Sequence, residues 1–269
     1  MRPDVRVTGV PIWVPAERLL GPEPWVRLED GTLRAELSVH GAADVAARLR
    51  GVGLAGGLIE VECAPQLSRA VVRAARAEDA RRRRDTTPGF SRGGARVDDE
   101  GRMSLTAEAV ADEVAALSPP GEVWDLGCGV GGNAIAFARA GWNVIAVERD
   151  AGRLAMARHN AGLYGLADSI RWVCGDAVGF LREAPFEAAT LLHLDPPWGA
   201  EWDRARTERR GFPLLQAAMD LRAGRRLWAK LPASFAPETL GEPAEMQAFF
   251  GHAPGDFRRV KFLLARMGG

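Results

Sequence analysis

Lysine is nearly missing from this chain. Of its 35 basic residues only Lys230 and Lys261 are not arginine, and Tyr164 is the single tyrosine. Coding bias explains such a skew more readily than selection for guanidinium chemistry does. Cysteine is scarce as well. Cys63, Cys128 and Cys174 are odd in number and show no paired spacing, which argues against a disulfide framework or a zinc cage and suggests a reducing compartment. His40, His159, His193 and His252 also lack ligand spacing, so no metal site is expected. No apolar run is long enough to span a bilayer, and the first thirty residues mix Asp4, Glu17 and Glu23 with prolines, unlike a signal peptide. The expectation is a cytoplasmic protein with no membrane partner. Net charge is absent too: 35 basic residues face 35 acidic ones, so the global field argues neither for nor against a polyanionic partner.

What is present is enough for a large core. With 269 residues and 47% hydrophobic content, the chain can form one large domain and a smaller one. From Val123 onward, apolar runs of strand length alternate with helical patterns, the mark of a parallel sheet with crossover helices. Seven strands are predicted, at Glu122–Asp125, Asn143–Val147, Ser169–Cys174, Ala188–Leu194, Arg225–Leu231, Glu245–Phe250 and Val260–Ala265, with helices at Asn133–Ala140 and Ala151–Tyr164. The preceding region reads differently. A hairpin (Trp25–Leu28 and Thr32–Val39), a helix (Ala42–Leu49), a strand (Leu58–Cys63) and a long helix (Gln66–Arg84) suggest a small α+β domain over residues 1–85. Residues 85–98 have the composition of a linker, and the second domain covers 86–269.

The run Asp125-Leu-Gly127-Cys128-Gly129-Val-Gly131-Gly132-Asn133 joins a strand to a helix. Glycines there let the backbone approach a ligand closely and aim helix amides at it. Asp125 stands two residues before the first glycine, where a carboxylate repels phosphate but attracts an ammonium group. Glu148 lies 21 residues after Gly127 at the end of the next strand, the place for a carboxylate that accepts ribose hydroxyls. Both spacings fit S-adenosylmethionine, and Asp176, closing the third strand, would reach the adenine amino group. Acids at strand ends also serve as helix caps, and that reading stays open for Glu148 and Asp176.

Asp195-Pro196-Pro197-Trp198 leaves the carboxyl end of a predicted central strand, where open α/β sheets bind ligands. The prolines fix φ and offer no N–H, leaving a carboxylate and carbonyl oxygens to accept from a donor with two hydrogens, such as an exocyclic amine. The expected catalytic set is Asp195, Pro196 and Trp198. Pro197 and Trp198 are expected to contact the substrate, with the Trp198 ring as a face for a base to stack on. A rigid turn with a core tryptophan is the alternative. Gln66–Arg96 carries Arg69, Arg73, Arg76, Arg81, Arg82, Arg83, Arg84, Arg92 and Arg96 against few acids. Its Arg81–Arg84 cluster reads either as a track for a phosphate backbone or as a solvated helix face.

Gly89-Phe90-Ser91, Gly101-Arg-Met103-Ser104-Leu105-Thr106, the glycine loop, Ala157-Arg158-His159-Asn160 with Tyr164-Gly165, Cys174-Gly175-Asp176 and Pro196-Pro197-Trp198-Gly199 together resemble the trimethylguanosine synthase family of RNA cap guanine-N2 methyltransferases. The resemblance spans roughly residues 89–265. It implies a seven-stranded, doubly wound, Rossmann-like α/β methyltransferase sheet that follows the small N-terminal α+β domain. It implies cofactor contacts for the segment from Ser104 to Thr106, for Asp125 and for Asn133, beside Gly127, Gly129 and Gly131 of the loop read above, and a ribose contact for Glu148, where the family has Asp. Trp198 matches the tryptophan that stacks on the methylated guanine. Position 195 is Asp where the cap enzymes carry Ser, which widens the acceptor to guanine N2 or adenine N6, and residues 1–80 match nothing in that family. The leading expectation is methyl transfer from S-adenosylmethionine to an exocyclic amine of RNA, guanine N2 by preference. A protein or small-molecule amide acceptor and an idle RNA-binding module are the alternatives.

Overall fold

The structure is a computed structural model that describes residues 2–82, 86–183, 190–198 and 202–268. Its amino-terminal part contains β1 (Asp4–Thr8), α1 (Ala16–Leu20), β2 (Val26–Arg27), β3 (Leu33–Glu36), α2 (Val39–Leu49), β4 (Gly53–Leu54), β5 (Gly57–Leu58), β6 (Glu60–Ala64) and α3 (Arg69–Arg82). Strands β2, β3, β1 and β6 form an antiparallel sheet in that order, and β4 and β5 form a separate hairpin. β1 buries Val5 and Val7 and exposes Arg6 and Thr8, the period of two that covers one face of a sheet. Sequence reading did not anticipate this strand. The expected hairpin corresponds to β2 and β3. α2 begins three residues before the expected Ala42, because the Ser38 hydroxyl caps it by accepting from Gly41 N. Ala42, Val45, Ala46 and Leu49, at helical spacing, then face the core.

The remainder contains α4 (Asp99–Ser104), α5 (Glu108–Ala115), β7 (Glu122–Leu126), α6 (Gly132–Arg139), β8 (Asn143–Glu148), α7 (Ala151–Leu163), β9 (Ile170–Cys174), α8 (Ala177–Glu183), β10 (Leu191–Leu194), α9 (Pro213–Leu221), β11 (Arg226–Leu231), β12 (Glu245–Phe250) and β13 (Val260–Met267). One seven-stranded sheet runs β12-β13-β11-β10-β7-β8-β9. The five strands from β11 to β9 are parallel, as expected from their crossover helices, but β13 is antiparallel to both neighbours. The short connection from β12 to β13 holds no crossover helix, so the chain can only fold back beside itself.

From β7 the chain winds outward through β8 and β9, then returns to β10 on the other side of β7. That reversal opens a crevice at the carboxyl ends of β7 and β10, where this class of sheet binds its ligands. The two sheets share apolar packing. One buried cluster includes Val5, Leu20 and Ile59 together with Leu227, Leu231 and Phe235. Hydrogen bonds cross the same boundary: Ala55 N donates to Ala233 O at 2.8 Å, and the Arg206 side chain donates through Nη1 to Gly56 O at 2.8 Å.

Candidate active site

Strand β7 delivers Asp125, fully buried, to the mouth of the crevice. In register across β10 stands His193, whose Nδ1 lies 2.8 Å from Asp125 Oδ1. Past β7 the loop folds under Val147 O, which accepts from both Gly127 N (2.9 Å) and Cys128 N (3.0 Å). Gly131 has φ +94°, and a Cβ built there would lie 3.0 Å from Ala157 Cβ, so α6 starts tight against α7 only because this residue has no side chain. At Gly129 (φ +54°) a Cβ would meet nothing within 4 Å. The loop is therefore open toward the crevice. Gly129 N donates to Glu148 Oε2 at 3.0 Å and Asp150 N to Glu148 Oε1 at 2.9 Å, which fixes a buried carboxylate at the loop's lip. Burial, reinforced by the Asp125 and Glu148 carboxylates, pushes the Cys128 thiol well above its ordinary range, so it stays protonated.

The acceptor side is built on β10, whose four residues are all buried. Asp195 follows directly, and its backbone carbonyl oxygen lies 3.8 Å from where a Gly127 Cβ would be. Its carboxylate is held at one oxygen. Oδ2 accepts from Lys230 Nζ (2.7 Å), from Asn133 Nδ2 (3.1 Å) and, more weakly, from Thr106 Oγ1 (3.5 Å). Lys230 comes from β11, beside β10, and also donates to Thr106 Oγ1 at 2.9 Å and to Ser104 O at 3.3 Å. Trp198 is half-buried, with its ring centroid 5.5 Å from Lys230 Nζ and 5.8 Å edge-on from Trp202, and Arg204 lies 5.5 Å over Trp202.

The segment before the sheet is stitched over the cradle. Asn160, fully buried on α7, accepts from Arg96 N at 2.7 Å and donates to Arg96 O and to Val130 O in the glycine loop. His159 Nε2 lies 3.0 Å from Gly94 O, while Tyr164 OH and Ser91 N both donate to Glu108 Oε2. Burial pushes the Glu108 carboxyl up, but the bonds from Tyr164 and Ser91 and the charge of Arg139 outweigh it and hold the group below its usual range. Arg153 on α7 clamps α4 by pairing with Asp98 and Glu100. Its bond to Asp98 is the main reason that carboxyl is depressed.

Residues 121–207 match the RNA cap guanine-N2 methyltransferase family. The match covers the cradle, the acceptor tetrapeptide and the three strands between them, the central part of the stretch from 89 to 265 over which the sequence resemblance runs. Trimethylguanosine synthase of Schizosaccharomyces pombe is 34% identical over 96 residues, 35% of this chain and 40% of that protein. The 23S rRNA (uracil(1939)-C(5))-methyltransferase RlmD of Acidithiobacillus ferrooxidans is 40% identical over 88 residues, 31% of this chain and 20% of that protein. The chain thus spans less than half the length of these curated relatives. Among solved structures, SMU.472 complexed with SAH aligns over 100% of this chain and 99% of its own, at a TM-score of 0.50 and 12% identity. The whole chain, amino-terminal sheet included, therefore shares an overall fold with that protein.

Asp125, Gly127, Gly129, Gly131, Asn133, Glu148, Thr106, Asp195, Pro196 and Trp198 converge on the crevice. Pro196 is buried and Pro197 exposed. Ser104 turns its hydroxyl back onto Glu100 O at 3.0 Å and offers its carbonyl to Lys230 instead. Asp176 is exposed, and its Oδ2 accepts from Gly179 N at 2.8 Å, the capping geometry that remained open for it. Arg81 and Arg82 are exposed on α3, where Arg82 pairs with Glu78, and Arg83 and Arg84 lie outside the described residues. Lys230, Trp202 and Arg204 were not anticipated. The signal for Lys230 was available: one of two lysines in the chain sits within the apolar strand Arg-Leu-Trp-Ala-Lys-Leu.

Proposed function

We propose that the chain is an S-adenosylmethionine-dependent methyltransferase acting on an exocyclic amine of a base in RNA, guanine N2 by preference. The observation that carries this reading is the meeting of the two halves at Asn133 and Asp195, whose side chains join the glycine loop to the acceptor tetrapeptide at 3.1 Å.

The residues present suit the cofactor. Asp125 Oδ2 and Asn133 Oδ1 are buried acceptors with no hydrogen-bond partner among the described residues, a pairing fit for the ammonium of a methionine moiety. Glu148 keeps a lone pair on each fixed oxygen for ribose hydroxyls. When bound, S-adenosylmethionine supplies an electrophilic methyl group on a sulfonium. The chain's own part is to bind, orient and dehydrate. Asp195 Oδ1, which takes no bond from a described residue, accepts from the acceptor amine and turns the nitrogen lone pair toward the methyl. Trp198 stacks on the base and fixes its plane. An amine lone pair delocalised into a purine ring is a poor nucleophile, so orientation is the main lever, worth on the order of 7–11 kcal/mol in well-aligned systems. The proton shed by nitrogen passes to solvent.

A carbon acceptor is less well served. Pyrimidine C5 needs a covalent nucleophile to raise its electron density; Cys128 in the glycine loop is buried with its thiol held neutral, Cys174 ends the edge strand β9, and Cys63 lies in β6 of the amino-terminal sheet. Adenine N6 presents the same donor pair as guanine N2 and remains the second reading. Residues 86–269 carry the transfer in this proposal, and the Arg81–Arg84 end of the basic helix tracks the RNA backbone. Incubation with labelled methyl donor and total RNA, then nucleoside mass spectrometry, tests the reading. N2-methylguanosine is expected; label in 5-methyluridine or only in protein would reject it.

A further inference from the structure

Lys230 stands where a lysine is expensive to place. It lies in the middle of the seven-stranded sheet, its side chain is 8% exposed, and the indole of Trp198 and the ring of Phe262 are 5.5 Å and 5.3 Å from its ammonium. An ammonium group has three N–H donors, and here each finds one acceptor: Asp195 Oδ2, Thr106 Oγ1 and Ser104 O. Such a group is fully committed and makes a poor general acid or base. It is well suited to holding other atoms still.

The three acceptors belong to different parts of the site. Asp195 is the acceptor carboxylate, whereas Ser104 and Thr106 belong to the turn that runs from α4 past the glycine loop. With Asn133 adding a second strong bond to the same oxygen, the Asp195 carboxylate is pinned at Oδ2, and its Oδ1 is the one oxygen without a described partner. A carboxylate held at one oxygen presents the other in a defined direction. One held at neither rotates, and a misplacement of about 1 Å is enough to lower a transfer rate by roughly a hundredfold.

We infer that Lys230 is the positioning residue of the acceptor clamp: it orients Asp195 so that Oδ1 alone meets the acceptor amine, and it ties that clamp to the Ser104–Thr106 turn. The inference rests on the methyltransferase reading above and adds to it a residue that acts through Asp195 rather than on the substrate. It also accounts for the pairing of types. An Asp in so dry a place requires a countercharge, and β11 supplies it from the strand that lines the same crevice.

The test is a double-mutant cycle on the full-length protein, with single-turnover methylation of total RNA and calorimetric titration of S-adenosylhomocysteine as readouts. Lys230→Met is expected to lower the single-turnover rate about a hundredfold while S-adenosylhomocysteine affinity changes less than about fivefold. Asp195→Asn should lower the rate by a similar factor, and the double variant should be no slower than Asp195→Asn alone, because Lys230 then has nothing left to orient. Multiplicative losses in the double variant, a wild-type rate for Lys230→Met, or loss of S-adenosylhomocysteine binding in step with the rate would each overturn the inference. Lys230→Gln, which keeps a donor and most of the volume, provides a second route if Lys230→Met does not fold, and its rate should fall by at least tenfold. A crystal structure of either variant reads the geometry without any acceptor: Asp195 should leave its present rotamer, and an unmoved carboxylate would contradict the proposal. If Asp195→Asn itself turns over at the wild-type rate, the acceptor clamp is misassigned, an outcome distinct from failure of the Lys230 role alone.

Discussion

Asn133 Nδ2 and Asp195 Oδ2 lie 3.1 Å apart although 62 residues separate them in the chain. One side chain lies in the first turn of the helix after the glycine loop and the other directly follows the neighbouring strand, so this hydrogen bond joins the glycine loop to the acceptor tetrapeptide. Asn133→Ala is expected to weaken S-adenosylhomocysteine binding roughly tenfold, by removing an acceptor for the ammonium, and to lower the transfer rate by a further factor of about ten through Asp195. Calorimetry and single-turnover kinetics separate the two effects, and a change confined to either one would break the proposed link.

Trp198 and Trp202 meet edge to face, with Arg204 over the second ring. If Trp198 is the stacking surface, Trp198→Ala costs about 1–3 kcal/mol of acceptor binding and leaves cofactor affinity within a factor of two. Trp202→Ala should give a smaller loss in the same assay. Fluorescence titration of RNA in the presence of S-adenosylhomocysteine measures both, and unchanged RNA affinity in Trp198→Ala would remove it from the acceptor site.

The Glu108 carboxyl is depressed in the folded chain, so its contribution to stability is fully present above its ordinary value, about 4.5, and is lost as pH falls through the lower folded value. Glu108→Gln should therefore be less stable than the parent at pH 7 and should converge with it in acid. Melting temperatures from pH 7 down to about pH 2.5 test this, and a constant gap across that range would mean that the carboxylate charge contributes nothing.

Arg81 and Arg82 lie exposed at the end of α3. If each neutralises one phosphate of single-stranded RNA, replacing both by Ala should make the slope of log K against log salt shallower by about 0.7 for each phosphate no longer neutralised. An unaltered slope would return the helix end to a solvated face.

Much of this was legible beforehand, for physical reasons that can be named. Strands β7, β8, β10 and β11 are largely apolar runs bounded by glycines and acids, because a parallel strand covered on both faces has no polar side to blur the pattern. The Glu245–Phe250 strand was placed to the residue. β1 was missed because its five residues alternate Val with Arg and Thr, a signal too short to stand out from a loop. The antiparallel return of β13 leaves no mark on a strand's own composition. Asp125, Asn133 and Asp195 could be found because each sits at a fixed offset from glycines or prolines. Lys230 is tied to Asp195 only across the gap between two strands, and no local pattern records that pairing.

The apolar packing that joins Val5, Leu20 and Ile59 to Leu227, Leu231 and Phe235 has a practical corollary. The amino-terminal layer belongs to the same apolar cluster as β11 and the turn that follows it, and each large aliphatic side chain uncovered there would forfeit about 1.5–3 kcal/mol. A shortened chain starting near residue 86 would turn that oily surface toward water. It should be recovered from cells as aggregate, not as a smaller working catalyst.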